Sequence, residues 1–174
     1  YIKVLFTKFI INIGELWIFT NKIWVKALHK PNWEIIGKEN IKSDGWTIAT
    51  SNHQSFADIF LLQDITNMKM PMLKFFMKYV LIYVPIIGLS WWALDMPFLK
   101  RYTKKQLEKN PKLVGKDVRE MKRALKHYSL YPVTVFSFAE GTRFTVKKHQ
   151  NQDSPFDNLL KPKEGGLATA LSLV

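Results

Sequence analysis

Polar residues recur at Lys8, Asn12, Glu15, Lys22 and Lys26, at helical spacings. Residues 3–28 therefore read as a helix with one polar stripe. Leu5, Phe6, Phe9, Ile13, Leu16 and Trp17, then Ile23 and Trp24, fill the wide apolar arc beside it. Such an arc suits a helix lying in a membrane interface, and equally an amphipathic helix packed on a core, because both have the same moment. Beyond it the pattern changes to short runs. Residues 33–36 and 47–50 read as strands, with a Ser43-Asp44-Gly45 turn before the second. Residues 57–62 start a helix, 72–77 read as a strand, 88–94 as a buried apolar segment, and 96–99 as a further short strand. Asn110-Pro111 breaks the chain. Asp117-Val118-Arg119-Glu120 has the form of a capping box, followed by Val118, Met121, Leu125 and Tyr128 at helical spacing. Pro132 closes that helix, residues 133–138 read as a buried strand, and 144–163 as a polar surface loop. Strands alternating with helices predict an α/β fold with a mostly parallel central sheet flanked by helices. The expected organisation is an N-terminal amphipathic, membrane-associated helix over 1–30 and one catalytic domain over 31–174.

The length of 174 residues fits one domain with a real core. The chain opens on Tyr1 and stops at Val174 inside an apolar stretch, which reads as a fragment trimmed at both ends. Lys and Arg number 26 against 14 Asp and Glu, a net charge of +12. That excess favours phosphate groups, nucleic acid or an anionic membrane as partners. Aromatic residues reach 14%, with six Trp and twelve Phe. Basic and aromatic together fit a membrane interface better than a cytosolic pocket enzyme. The longest uncharged run, 80–94, is too short to span a bilayer and is broken by Pro85 and Gly88. There is no cysteine, which excludes disulfides, thiolate catalysis and cysteine zinc sites.

Two compact clusters carry the candidate chemistry. Asn52-His53-Gln54-Ser55-Phe56-Ala57-Asp58 sets a His and an Asp five residues apart after an apolar run. On one helix they would point about 140° apart. They meet if His53 lies in the loop before the helix and Asp58 in its first turns. Asp58 then accepts from one imidazole nitrogen and leaves the other as a base. Short motifs match often by chance, so a capping His and a solvated Asp is the commoner reading of this cluster alone. Phe138-Ala139-Glu140-Gly141-Thr142-Arg143 follows the second buried strand, at the strand end where open α/β sheets bind ligands. Gly141 permits close backbone approach, and Arg143 offers a fork for phosphate. Glu140 either accepts from a substrate hydroxyl or holds Arg143 in place. No nucleophile of the chain's own accompanies the pair, so a substrate hydroxyl would supply it.

In this order the clusters resemble the glycerolipid acyltransferase family, which carries N-H-x4-D, an Arg-bearing second motif, F-x-E-G-T/S-R and a Pro-containing fourth. Lys78, Leu81, Val84-Pro85 and Gly88 are similar to the family's K-x-x-L-x-x-V-P-x-x-G stretch, and residues 92–101 to its second motif, with Arg101 in the Arg position. Residues 92–101, 140–145 with Lys148-His149, and 159–163 before Gly165-Gly166 resemble the subgroup holding a bacterial inner-membrane acyltransferase and eukaryotic lysophosphatidic and lysocardiolipin acyltransferases. Ala139 stands where many members have Pro, and the fourth motif would lie beyond Val174. The resemblance implies His53 as general base and Asp58 as its orienting partner. It implies Asn52, Lys78, Arg101, Glu140, Gly141, Thr142 and Arg143 as substrate-binding residues. The implied reaction is acyl transfer from acyl-CoA or acyl-carrier protein to the free hydroxyl of a lysophospholipid, first of all 1-acyl-sn-glycerol-3-phosphate. Lysophosphatidylglycerol, lysophosphatidylinositol and lysocardiolipin are alternative acceptors. No metal or bound cofactor is implied. The implied location is a membrane, at the cytoplasmic face of a bacterial inner membrane.

Other chemistries lack their residues. There is no G-x-S-x-G elbow for a serine hydrolase. His29, His53, His127 and His149 form no H-E-x-x-H or similar spacing for zinc. The G-K pairs at 37–38 and 115–116 lack the earlier Gly of a P-loop. A rival of another class is a non-catalytic domain binding anionic lipid or RNA through the basic stretch 100–126, which as a charge run is more often a solvated face.

Overall fold

A computed structural model describes residues 2–41, 44–100, 102–163, 167–168 and 171. A long helix, α1 (Ile2–His29), opens the chain. Strand β1 (Thr47–Ser51) leads into α2 (Ala57–Thr66), then β2 (Leu73–Phe75) and β3 (Met77–Lys78). A 3-10 turn (Tyr79–Tyr83) and α3 (Ile87–Ala93) precede β4 (Phe98–Leu99). Helices α4 (Lys104–Lys109) and α5 (Lys116–Tyr128), strand β5 (Thr134–Phe138) and α6 (Val146–Gln152) complete it. The main sheet has the order β1-β5-β2 and is parallel throughout; β3 and β4 form a second, two-stranded parallel sheet. The apolar run before Glu140 makes β5 central, since a strand covered on both faces carries near-continuous apolar residues.

The core joins Met121, Leu125 and Tyr128 of α5 to Tyr131, Val133 and Val135, with Ile11 and Ile48 packed against them. Helix α5 starts at Lys116, so Asp117 lies within its first turn and is not the cap. The capping box belongs instead to α4, where Thr103 and Gln106 each bond the other's backbone N–H. Residues 33–36, expected as a strand, form none. The run lies between Pro31 and Gly37, and no strand among the described residues pairs with it. The expected strand 72–77 divides at Phe76 between the two sheets. The segment 88–94, expected to be buried, forms α3 as far as Ala93, with Leu89, Ser90 and Trp92 exposed and Trp91, Ala93 and Leu94 half-buried. Gly88 is its buried exception. A Cβ there would stand 2.2 Å from the Ile82 carbonyl oxygen, so glycine alone fits under this turn. The polar loop expected over 144–163 contains α6. Ser43 of the expected turn lies outside the described residues.

Helix α1 packs against α2. Part of its polar stripe turns inward: Lys22 pairs with Asp64 of α2, and Glu15 accepts from the Asn67 amide. Gly14 and Ile18 pack inside. The apolar arc, including Phe6, Phe9, Trp17, Ile23 and Trp24, faces outward. Among the described residues no helix is long and apolar enough to cross a membrane.

Candidate active site

Parallel pairing of β1 with β5 sets Ser51 opposite Phe138, so both clusters leave the sheet side by side at the strands' carboxyl ends. The loops are then bonded to each other. Ala139 N–H donates to the Ser51 carbonyl at 3.0 Å, and Phe144 N–H to the His53 carbonyl at 2.8 Å. The His53 N–H donates to Glu140 Oε1 at 2.8 Å. The other carboxylate oxygen of Glu140 accepts from Leu160 N–H at 2.9 Å. Glu140 is 1% exposed. Both of its carboxylate oxygens are thus taken by backbone N–H groups of other loops, and no bond to Arg143 is among its contacts. The two bonds satisfy its oxygens, as burial of a polar side chain requires.

The His53 side chain is fixed from two directions. Its Nδ1 lies 3.0 Å from Asp58 Oδ2, and its ring stacks on Phe138 with centroids 3.8 Å apart and planes 13° from parallel. Asp58 sits in the first turn of α2, while His53 lies in the loop before it. Asp58 Oδ2 also accepts from Gln54 N–H at 2.7 Å and Ser55 N–H at 2.8 Å. Burial works to raise the Asp58 pKa, but the bonds from Ser55, His53 and Gln54 together outweigh it and hold the carboxyl below its ordinary value. With Asp58 ionised as the acceptor, Nδ1 carries the proton and Nε2 is the basic nitrogen. Nε2 has no hydrogen-bond partner among the described residues.

The second loop turns at Gly141, whose φ of 65° is left-handed. Gly141 N–H closes the turn onto the Phe138 carbonyl at 2.9 Å. Arg143 is exposed, with its guanidinium 4.1 Å over the Phe56 ring. That contact draws the tip of the second loop to the first. Lys148 Nζ donates to Thr142 Oγ1 and to the Arg143 carbonyl, both at 2.8 Å. Asn52 is exposed beside His53, and its carbonyl accepts from Ser51 Oγ at 2.8 Å. Lys78 is exposed on β3, in the other sheet. Arg101 lies outside the described residues, as do Gly165 and Gly166.

Three contributors escaped the sequence reading of the site. Phe138 was legible as the first residue of the F-x-E-G-T-R cluster, but not as the face on which His53 stacks. Phe56 lies inside the first motif. The Leu160 amide, twenty residues beyond Glu140, carries no local signal. Among the described residues no group of three or more His, Asp or Glu is placed to hold a metal ion. An apolar cavity of about 410 Å³ opens between α1, α3 and the start of β2, and none of His53, Asp58 or Arg143 lines it.

Residues 32–173 match the family described as Acyltransferase. The chain is similar to 1-acyl-sn-glycerol-3-phosphate acyltransferase 3 of Arabidopsis thaliana, 31% identical over 153 residues, covering 80% of this chain and 36% of that one. It is also similar to 1-acyl-sn-glycerol-3-phosphate acyltransferase delta of Homo sapiens, 38% identical over 79 residues, 44% of this chain and 18% of that one. The Bos taurus form is 39% identical over the same length and shares. The chain thus spans between about a fifth and a third of the length of these relatives. No solved structure matches it.

Proposed function

The chain belongs to the glycerolipid acyltransferase family, and from that premise we propose that it moves a fatty acyl group from acyl-CoA or acyl-carrier protein to the free hydroxyl of a lysophospholipid. The acceptor we assign is 1-acyl-sn-glycerol-3-phosphate, which the names of its relatives favour. The observation that carries the reading is the His53–Asp58 pair with Nε2 unbonded. In the proposed reaction, Nε2 takes the proton of the acceptor hydroxyl as its oxygen attacks the thioester carbonyl. Asp58 keeps the proton on Nδ1 and stabilises the imidazolium. The carbon–sulfur bond breaks, and the imidazolium returns its proton to the leaving thiolate. The products are an oxygen ester and a free thiol. Arg143 binds the acceptor phosphate, and Asn52, Lys78, Thr142 and Arg101 are further candidates for substrate contact. Glu140 and Gly141 shape the loop that presents Arg143.

We place this chemistry at an anionic membrane surface. The outward apolar arc of α1 and the net charge of +12 support that placement. The test is thiol release from acyl-CoA in the presence of lysophosphatidic acid. The chain has no cysteine to contribute background. Thiol release is expected for the wild type and its loss for His53→Ala. Full activity in the variant, or no release by the wild type with any lysophospholipid, would overturn the reading.

A further inference from the structure

The chain from Tyr79 to Leu94 contains no charged residue, and the fold does not bury it. Leu89 is 65% exposed, Trp92 61% and Ile86 83%, with Val80 and Tyr83 exposed as well. Exposed apolar side chains this concentrated along one uncharged segment are of the kind that marks an interaction surface. Ile86 adds a second anomaly. It is β-branched, yet it holds a φ of 63°, in the region that favours glycine. The turn thus holds a strained backbone at the start of α3 while leaving a large apolar side chain exposed, and such outliers point to function.

We propose that the segment from Val80 to Trp92 inserts into an anionic lipid bilayer beside α1, so that the chain seats on the membrane through two elements. This rests on the membrane half of the reading above. Continuity is the first argument. The outward residues Ile13 and Trp17 of α1 and Ile86 and Ile87 at the start of α3 line the same apolar cavity. The outward arc of α1 and the start of α3 therefore meet at this cavity, where a bilayer could seat both. Charge is the second argument. Lys78 immediately precedes the segment, and its register partner Leu99 immediately precedes Lys100. Lys100 Nζ lies 4.0 Å over the Tyr79 ring. Two lysines thus stem from the base of an otherwise uncharged projection, the order in which a headgroup layer and an acyl layer are met.

The test uses vesicles of phosphatidylcholine with about 30% phosphatidylglycerol, without acyl donor or acceptor. Co-sedimentation of the wild-type chain is expected. The double variant Leu89→Glu/Trp92→Glu should lower the partition coefficient at least tenfold with an unchanged circular dichroism spectrum. Because the chain has no cysteine, Leu89→Cys accepts a single nitroxide label in an otherwise unaltered chain. Its oxygen accessibility should place the label about 5–10 Å below the phosphates, the depth of an interfacial apolar face. Partitioning within twofold of wild type in the double variant, or a label that stays in water on bound vesicles, would overturn the proposal. So would a self-associated chain that the double variant makes monomeric without changing its partitioning, since the patch would then meet a second copy. Vesicle binding needs no turnover, so this failure is separate from a failure of the thiol-release test.

Discussion

The backbone N–H of His53 donates to the Glu140 carboxylate at 2.8 Å, joining the ends of two strands whose bonded residues are 87 positions apart in sequence. Glu140 is thus a brace for the histidine loop. Replacing it with Ala leaves the amides of His53 and Leu160 without their acceptor, and an unsatisfied buried donor costs about 1–3 kcal/mol. Glu140→Ala is therefore expected to lower unfolding free energy by about 2–4 kcal/mol in urea titrations. It should also reduce kcat in the fraction that remains folded. Glu140→Gln keeps one carbonyl acceptor and should fall between the two. A fully stable Glu140→Ala with a raised acceptor KM would return this residue to substrate binding.

Asp58 separates orientation from binding. Asp58→Asn puts an amide opposite His53 Nδ1 and disturbs the tautomer that leaves Nε2 basic, so kcat is expected to fall by about 10²–10⁴ with acceptor KM little changed. The carboxyl is held below its ordinary 3.8. A lowered folded-state pKa gives stability that is present above the unfolded value and is lost as pH falls through the folded one. The stability gap between wild type and Asp58→Asn should therefore be constant above about pH 5 and narrow below 3.8. A gap that widens on acidification would contradict the hydrogen-bond pattern.

Much of this was legible from residue patterns. The strand at 47–50, the helix after Ala57 and the strand ending at Phe138 have local apolar patterns, and these place His53 in the loop after one strand, Asp58 at the helix start and Glu140 just past the other strand; that the two strands pair is seen only in the fold. The role of Glu140 was not legible. A carboxylate in a turn reads the same whether it faces water or two backbone amides, and one of those amides belongs to Leu160. The exposure of α3 was hidden for a similar reason. An uncharged apolar run looks like core in sequence, and only the fold shows which side remains uncovered. The helix over 146–152 was missed because it is short and almost wholly polar. Its start lies in Thr145, which accepts from Lys148 N–H, a tertiary-independent signal that composition alone obscured.

Phe138 stacks on His53 at 3.8 Å and so limits rotation of the imidazole. Aromatic pairs contribute about 0.5–1.5 kcal/mol beyond burial. Phe138→Leu keeps an apolar side chain and removes the stack. A drop in kcat of about two- to tenfold is expected from that energy, with acceptor KM within twofold. Steady-state kinetics at saturating donor measure both, and a change confined to KM would show that the ring contacts substrate instead.

Arg143 is exposed and lies over the Phe56 ring, so its loss should not disturb the core. Arg143→Ala is expected to raise the acceptor KM by about tenfold or more, the scale of a charge-assisted contact, while the thermal midpoint stays within a degree or two. Arg143→Lys keeps the charge but not the planar fork and should recover only part of the loss. An unchanged KM in Arg143→Ala would remove it from the phosphate site.

The buried Lys74 makes pH a probe of the fold itself. It is 0% exposed, with its ammonium about 6 Å from the ring centres of Tyr128 and Tyr131, and donates to the Leu94 carbonyl. Burial lowers its pKa from 10.5 to about 8, with Asp95 and Glu15 opposing the drop. Between these values the unfolded chain binds the proton and the folded chain does not, so stability rises with pH. Above pH 10 the trend reverses. Burial holds the pKa values of Tyr128 and Tyr131 above their ordinary 10, so there the folded chain keeps protons that the unfolded chain loses. Unfolding free energy from urea titrations should climb by about 2–3 kcal/mol from pH 8 to 10 and then fall. Lys74→Met should remove the climb without lowering stability at pH 7, since a buried charge replaced by an apolar side chain of similar size is often neutral or stabilising. A wild-type profile that is flat between pH 8 and 10 would mean that Lys74 is solvated in the folded chain.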